Sequence, residues 1–179
     1  MSCNCFNTKP VFLRTDGFNA RLEKSKCHCT SRFNVSERRS SFKIKCNDVK
    51  CVDKYKIDGC FDMSTELKCD YLFHYHPIKN NIVVKNSYVF VELKGSEFDH
   101  GVKQISTTIK RFIDNDYFVG KNKVEVTGVL VCTKYPKNDS RSRTNKKAVK
   151  ESFPNLNFKM LYGKSDGNAV FNPETREIE

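Results

Sequence analysis

Residues 87–95, "SYVFVELKG", end a run of apolar side chains in a glutamate and a lysine two positions apart. In a strand, residues i and i+2 point to the same face, so Glu92 and Lys94 stand side by side. Asp70, in "KCDYLF", and Asp58, in "KIDGC", fall in neighbouring predicted strands. A carboxylate without a partner is costly to bury, and several together call for a reason. A structural reason is a salt bridge between Glu92 and Lys94 at a strand end, with Asp70 capping a turn. The chemical reason is a metal site for phosphodiester hydrolysis. Mg²⁺ takes one or two carboxylates together with waters and phosphate oxygens, and Asp70 and Glu92 on adjacent strands would supply those carboxylates. Lys94 would orient or help deprotonate the attacking water and offset charge on the pentavalent phosphate. Asp58, before Gly59, is either a turn residue or a second metal carboxylate.

These side chains need a sheet to position them. "SFKIKC" (41–46), "KYKIDGCFD" (54–62) and "ELKCDYLFHY" (66–75) alternate as strands do. "PIKNNIVVKNS" reads as a loop with a short extra strand. The continuous apolar run of 87–95 predicts a strand buried on both faces. The period then changes. Ser96 and Asp99 make a capping-box-like start, and Phe98, Val102, Ile105, Ile109, Phe112 and Ile113 recur at helical spacing, predicting an amphipathic helix over 97–114. A buried strand over 123–135, a short helix around 144–152 and a strand near 157–163 follow. "FNARLEKSK" (18–26) reads as a further short helix. Three strands, helix, strand, helix, strand implies an antiparallel meander beside a parallel, right-handed crossover. The expected fold class is α/β, a mixed central sheet flanked by helices, in one domain: a basic, cysteine-containing segment (1–40), a core (41–165) and a tail (166–179).

Asp70, followed after an apolar strand by Glu92-Leu93-Lys94 and then by a helix, resembles the PD-(D/E)xK nuclease superfamily in the order and type of elements over 54–135. The resemblance implies a restriction-endonuclease-like core, a metal-dependent nuclease activity and catalytic roles for Asp70, Glu92 and Lys94. It also implies that Gln104, on the helix after the E-x-K strand, supports the site, as in some exonuclease and resolvase branches. The tyrosine that usually follows four residues later is replaced by Thr108, and the proline before the first acid by Cys69. Glu37, in "VSERRS", is the counterpart of an acid that some members supply from an N-terminal helix; otherwise it is a solvated glutamate at a helix start.

The partners follow from charge. With 32 Lys and Arg against 21 Asp and Glu the net charge is +11, which favours an anionic partner, nucleic acid ahead of membrane. Residues 1–50 carry eleven basic residues against four acidic ones. From Lys134 to Lys150, Lys134, Lys137, Arg141, Arg143, Lys146, Lys147 and Lys150 are opposed only by Asp139. Lys134, Arg141, Arg143, Lys146 and Lys147 are the candidate phosphate contacts. A polar start without an apolar h-region, and no apolar run near the ~18 residues of a membrane span, predict a soluble, cytoplasmic protein.

In that compartment nine cysteines are expected as free thiols or metal ligands rather than disulfides. "CNC" and "CHC" place Cys3, Cys5, Cys27 and Cys29 around His28 in types that zinc accepts, but two C-x-C pairs are a weaker signal than paired C-x-x-C knuckles, and reduced thiols are the preferred reading. In "FHYHPI", His74 and His76 share a strand face, a pair suited to a transition metal but with no acid placed beside it by the sequence. His100 reads as a helix-surface residue facing phosphate. The expected function is a Mg²⁺- or Mn²⁺-dependent nuclease acting on DNA, with a homodimer as the natural arrangement for cutting both strands. The alternative is a nucleic-acid-binding or interaction module of the same fold whose acids are inactive.

Overall fold

The computed structural model describes residues 33–46, 48, 51–59, 65–80, 82–94, 96–114, 117–118, 124–135 and 139–179, apart from the side chains of 139–142, 145 and 146. The expectations for "FNARLEKSK" and for Cys3, Cys5, Cys27, His28 and Cys29 lie outside the described residues. The strands are β1 (Asn34–Glu37), β2 (Ser40–Ile44), β3 (Val52–Lys56), β4 (Tyr71–Tyr75), β5 (Ile78–Lys79), β6 (Ile82–Val83), β7 (Asn86–Lys94), β8 (Val124–Cys132), β9 (Asn157–Tyr162), β10 (Asn168–Asn172) and β11 (Glu177–Ile178). Two helices, α1 (Phe98–Asp114) and α2 (Asp139–Glu151), stand either side of β8 in the chain.

The central sheet runs β3-β4-β7-β8-β9, so its spatial order is its chain order. β3, β4 and β7 form an antiparallel meander. β8 lies parallel to β7 and β9 parallel to β8, with α1 and α2 as the connections. The sheet is mixed, and the protein is of the α/β class. Among the described residues no helix is long and apolar enough to cross a membrane.

The run in β7 is apolar because both faces of this sheet are covered. Tyr88 and Phe90 point into a core shared with Val102, Ile105, Ile109 and Phe112 of α1 and Val149 of α2. Val89, Val91 and Leu93 alternate into a second core with Phe42, Ile44, Ala169 and Phe171. That second face is covered by a sheet of order β1-β2-β10-β11 rather than by helices, so the helices flank the central sheet on one side. The tail therefore belongs to the packed structure: β10 pairs parallel with β2, from Asn168↔Ser41 to Phe171↔Ile44. Arg176 then anchors it to the central sheet, donating to Val126 O at 2.9 Å and Asn157 O at 3.0 Å.

α1 begins one residue later than expected, and Ile113 of its apolar stripe is 39% exposed. The helix lies close against the sheet. A Cβ on Gly128 of β8 would come within 2.8 Å of Ile105 Cγ2, and one on Gly101 within 2.5 Å of Leu130 Cδ1. Both glycines permit an approach that alanine would obstruct.

Candidate functional site

The strand expected over 66–75 starts only at Tyr71, and the reason lies in where the preceding backbone groups go. Gln104 Nε2 donates to Lys68 O at 2.8 Å, Cys69 N–H donates to Thr108 Oγ1 at 2.8 Å, and Asp70 N–H donates to Glu92 Oε2 at 3.0 Å. Buried backbone polar groups need partners, and here side chains of α1 and β7 serve instead of a neighbouring strand. Gln104 and Thr108, one turn apart, grip the two residues before Asp70 from the helix. Thr108 thus has a positioning role that sequence reasoning noted only as a missing tyrosine.

Asp70 reciprocates. Its Oδ2 accepts from Leu93 N–H at 2.8 Å, so Asp70 and the Glu92–Leu93 step are clasped by two hydrogen bonds across neighbouring strands. Lys94 Nζ lies 2.8 Å from Glu92 Oε1, confirming the side-by-side placement expected from the i, i+2 period. That contact is a charge-assisted pair made to a buried oxygen. Gln104 Oε1 is buried without a hydrogen-bond partner. The Glu92 side chain is 0% exposed and that of Lys94 21%.

Burial dominates the electrostatics. It raises the Glu92 carboxyl to about 8, with the nearby Asp70 charge adding to the rise and Lys94 opposing it. It raises Asp70 to about 6, against the pull of the Leu93 N–H and with Glu37 contributing repulsion. Burial works against the Lys94 charge, but Glu92 and Asp70 outweigh it and hold the ammonium above its ordinary range. Cys69 and Cys132 are free thiols that burial and the Glu92 charge hold protonated, Cys132 at about 12.

The site opens into a cleft of about 680 Å³ bordered by Arg38, Arg39, Asp58, Asp70, Lys94 and Lys134, with Glu37 and Gln104 also on its wall. Asp58 stays at the rim, its side chain 58% exposed and 3.9 Å from Lys68 Nζ. The chain turns there, with Gly59 at φ +69°, so the turn reading fits Asp58 and it is not drawn into the clasp. Glu37 reaches the cleft from the end of strand β1; the expected N-terminal helix is not what carries it. Arg38, at φ +52°, and Arg39 follow in the tight turn to β2.

Lys134 leaves β8 on a short loop held by Tyr135, whose hydroxyl accepts from Cys132 N–H at 3.0 Å and donates to Leu130 O at 3.2 Å. It also borders an adjoining cleft of about 460 Å³ with His100, which is exposed in the first turn of α1 as expected. The other basic candidates belong to α2. Arg143 and Lys147 are exposed, Lys147 lying 3.8 Å from Glu151 in a solvent-facing pair of little strength. The side chains of Arg141 and Lys146 lie outside those described.

At the far end of β4, His74 and His76 do have an acid beside them. Asp53 of β3 faces His74 directly in the register, and its Oδ2 lies 2.8 Å from His76 Nε2. The sequence could not disclose this, because the pairing of β3 with β4 depends on the length of the irregular connection between them. Comparison of the chain with protein families, curated proteins and solved structures finds no match to any of them.

Proposed function

We propose that the protein is a metal-dependent nuclease of restriction-endonuclease-like fold that hydrolyses phosphodiester bonds, with DNA as its substrate. The observation that carries this reading is the clasp of Asp70 and Glu92 across neighbouring strands, with Lys94 2.8 Å from Glu92, beside a cleft bordered by Arg38, Arg39, Lys94 and Lys134 together with Glu37, Asp58, Asp70 and Glu97. Burial of the acid pair costs stability and raises both carboxyl pKa values.

A divalent cation suits this donor set. Both carboxylates have one oxygen fixed by a backbone N–H, and the second Glu92 oxygen, Oε1, faces the Lys94 ammonium at 2.8 Å. Two acids whose pKa values burial raises, that of Glu92 further by the Asp70 charge, with one lysine beside them, leave a charge deficit that a hard cation with oxygen ligands would fill. Asp70 and Glu92 would hold Mg²⁺ or Mn²⁺, which when bound acts as a Lewis acid on the phosphodiester and lowers the pKa of a water.

The chain's own groups account for the rest. Lys94 is kept charged by Glu92, so it serves as a hydrogen-bond donor and positive charge beside the reacting phosphate rather than as a base. Glu92 fixes that ammonium, and Asp70 fixes the backbone of Leu93 between them. Arg38, Arg39 and Lys134 on the cleft wall attract the phosphate backbone without reading sequence.

Incubating the full chain with supercoiled plasmid, linear duplex, single-stranded DNA and RNA, with Mg²⁺ or Mn²⁺ and with EDTA, tests the proposal. Cleavage that requires metal and disappears in Glu92→Gln supports it. Retarded mobility without cleavage in any metal would instead make the chain a binding module whose acid cluster is inactive.

A further inference from the structure

Asp53, His74 and His76 meet on one face of the β3–β4 pair. Asp53 and His74 are direct cross-strand partners, which brings their side chains together. His76 is two residues beyond His74 and so shares its face. The ladder extends to it, because His76 N–H donates to Cys51 O at 2.8 Å. One potential ligand atom from each of the three lies within 4.8 Å of the others. Ligand atoms around a tetrahedral zinc ion, bonded at ~2.0–2.1 Å, sit about 3.4 Å apart, so an ion would draw the three groups closer together.

The surroundings are those of a built site. His74 is buried and stacked on Tyr88, ring centroids 4.5 Å apart. Asn86 Oδ1 lies 3.0 Å from His74 Nε2. An amide oxygen can only accept, so Nε2 carries the proton and Nδ1 is left with the lone pair. A ligating histidine characteristically has its other ring nitrogen held in this way. Asp53 and His76 keep side-chain exposures of 27% and 16%, which leaves access for an ion and for a water as fourth ligand. Two imidazoles and one carboxylate are a donor set for a borderline-soft transition metal rather than for Mg²⁺. His76 is six residues along the strand from Asp70, about 20 Å away at the rise of a β-strand, so this cluster is separate from the acid clasp.

We propose that Asp53, His74 and His76 form a transition-metal site, for Zn²⁺ by ligand type, which cross-links the edge strand β3 to β4 and keeps one coordination position open to solvent. The site stands or falls independently of the nuclease reading.

The test uses metal-stripped full chain under reductant, titrated with Zn²⁺ against a chromophoric chelator. Wild type should bind one zinc equivalent more than either His76→Gln or Asp53→Asn, both of which leave Asp70 and Glu92 unaltered. Asn86→Ala should retain that equivalent with affinity about 10–100-fold weaker. Co²⁺ identifies the ligands, because the thiols at other positions give charge-transfer bands that nitrogen and oxygen do not. The wild-type minus His76→Gln cobalt spectrum should therefore contain ligand-field bands alone. NMR of the imidazole nitrogens gives a readout that needs no variant: Zn²⁺ should shift the ring resonances of two histidines. Equal zinc equivalents and affinity in wild type and both variants, a thiolate difference spectrum, or unmoved imidazole resonances would overturn the site.

Discussion

The two ends of the β4–β7 pair solve opposite problems with polar side chains. At the Asp70 end, a buried and a half-buried carboxylate lie together with a single lysine, and desolvation pushes both pKa values up. At the His76 end, Asp53 is matched by an imidazole at 2.8 Å and His74 by an amide at 3.0 Å. The first arrangement is uncomfortable until positive charge arrives; the second is already satisfied by its own partners. In the functions proposed above, the first end would take a hard cation beside the phosphate and the second a strand-linking transition-metal ion.

The most severe way to break this contrast is to neutralise the uncomfortable end. Asp70→Asn and Glu92→Gln should each lower metal-dependent cleavage by about 10²–10³-fold or more, while plasmid binding and far-ultraviolet circular dichroism stay close to wild type. Turnover at the wild-type rate in either variant would remove the distinction between the two ends. Lys94→Ala should come next. Its ammonium acts on charge that develops during reaction, so kcat should fall about 10²-fold with KM changed far less. Equal losses in binding and turnover would make Lys94 a phosphate anchor instead.

Stability against pH sharpens the same point without any activity. Asp70 and Glu92 titrate above their unfolded values, so the folded state retains protons that the unfolded chain has already released. Their favourable contribution is complete below about pH 4 and is lost as pH rises through about 6 and about 8. Metal-free protein should therefore lose stability between pH 5 and pH 8. Glu92→Gln, which can still accept from Asp70 N–H, should flatten that decline and be more stable at pH 8 by on the order of 3 kcal/mol. Denaturant titrations at both pH values measure this, and a parallel decline in the two proteins would contradict it. The smallest effect concerns exposed basic groups, Lys134 at the cleft and Arg143 and Lys147 on α2. Replacing Lys134, Arg143 and Lys147 singly with Ala should weaken DNA binding equally for all sequences, each lost phosphate contact lowering the slope of log affinity against log salt by about one. Unchanged slopes would move the DNA path to other basic groups.

The sequence disclosed the central sheet well because its elements carry strong periods. The double-sided burial of β7 and the helix after it both follow from hydrophobic spacing, and the i, i+2 rule alone placed Lys94 beside Glu92. The four-stranded sheet was hidden for a physical reason. β10, "NAVFN", has only three apolar residues between two asparagines, and its parallel partner β2 is far away in the chain; no local pattern announces such a pairing. Asp53 escaped notice in the same way. In "CVDKY" it is an ordinary polar residue of an alternating strand, and only the register with β4 sets it opposite His74. Thr108 read as a lost tyrosine, whereas its short hydroxyl suits the close approach of α1 to the Cys69 amide.

The agreement between spatial and chain order in the central sheet bears on how the molecule assembles. Each of its strands can add to the one before it, whereas β2 must capture β10 across a separation of 127 residues. Closing so long a loop is slow and is rewarded only after most of the chain is in place. The acid clasp should thus form early, and the β1–β2 turn with Arg38 and Arg39 should dock over it late, seated by the bond from Ser40 Oγ to Lys94 O at 3.0 Å. In native-state hydrogen exchange the amides of β10 should open at lower free energy than those of β7. The wall that carries Arg38 and Arg39 is then the last part of the cleft to be built and the first to be lost.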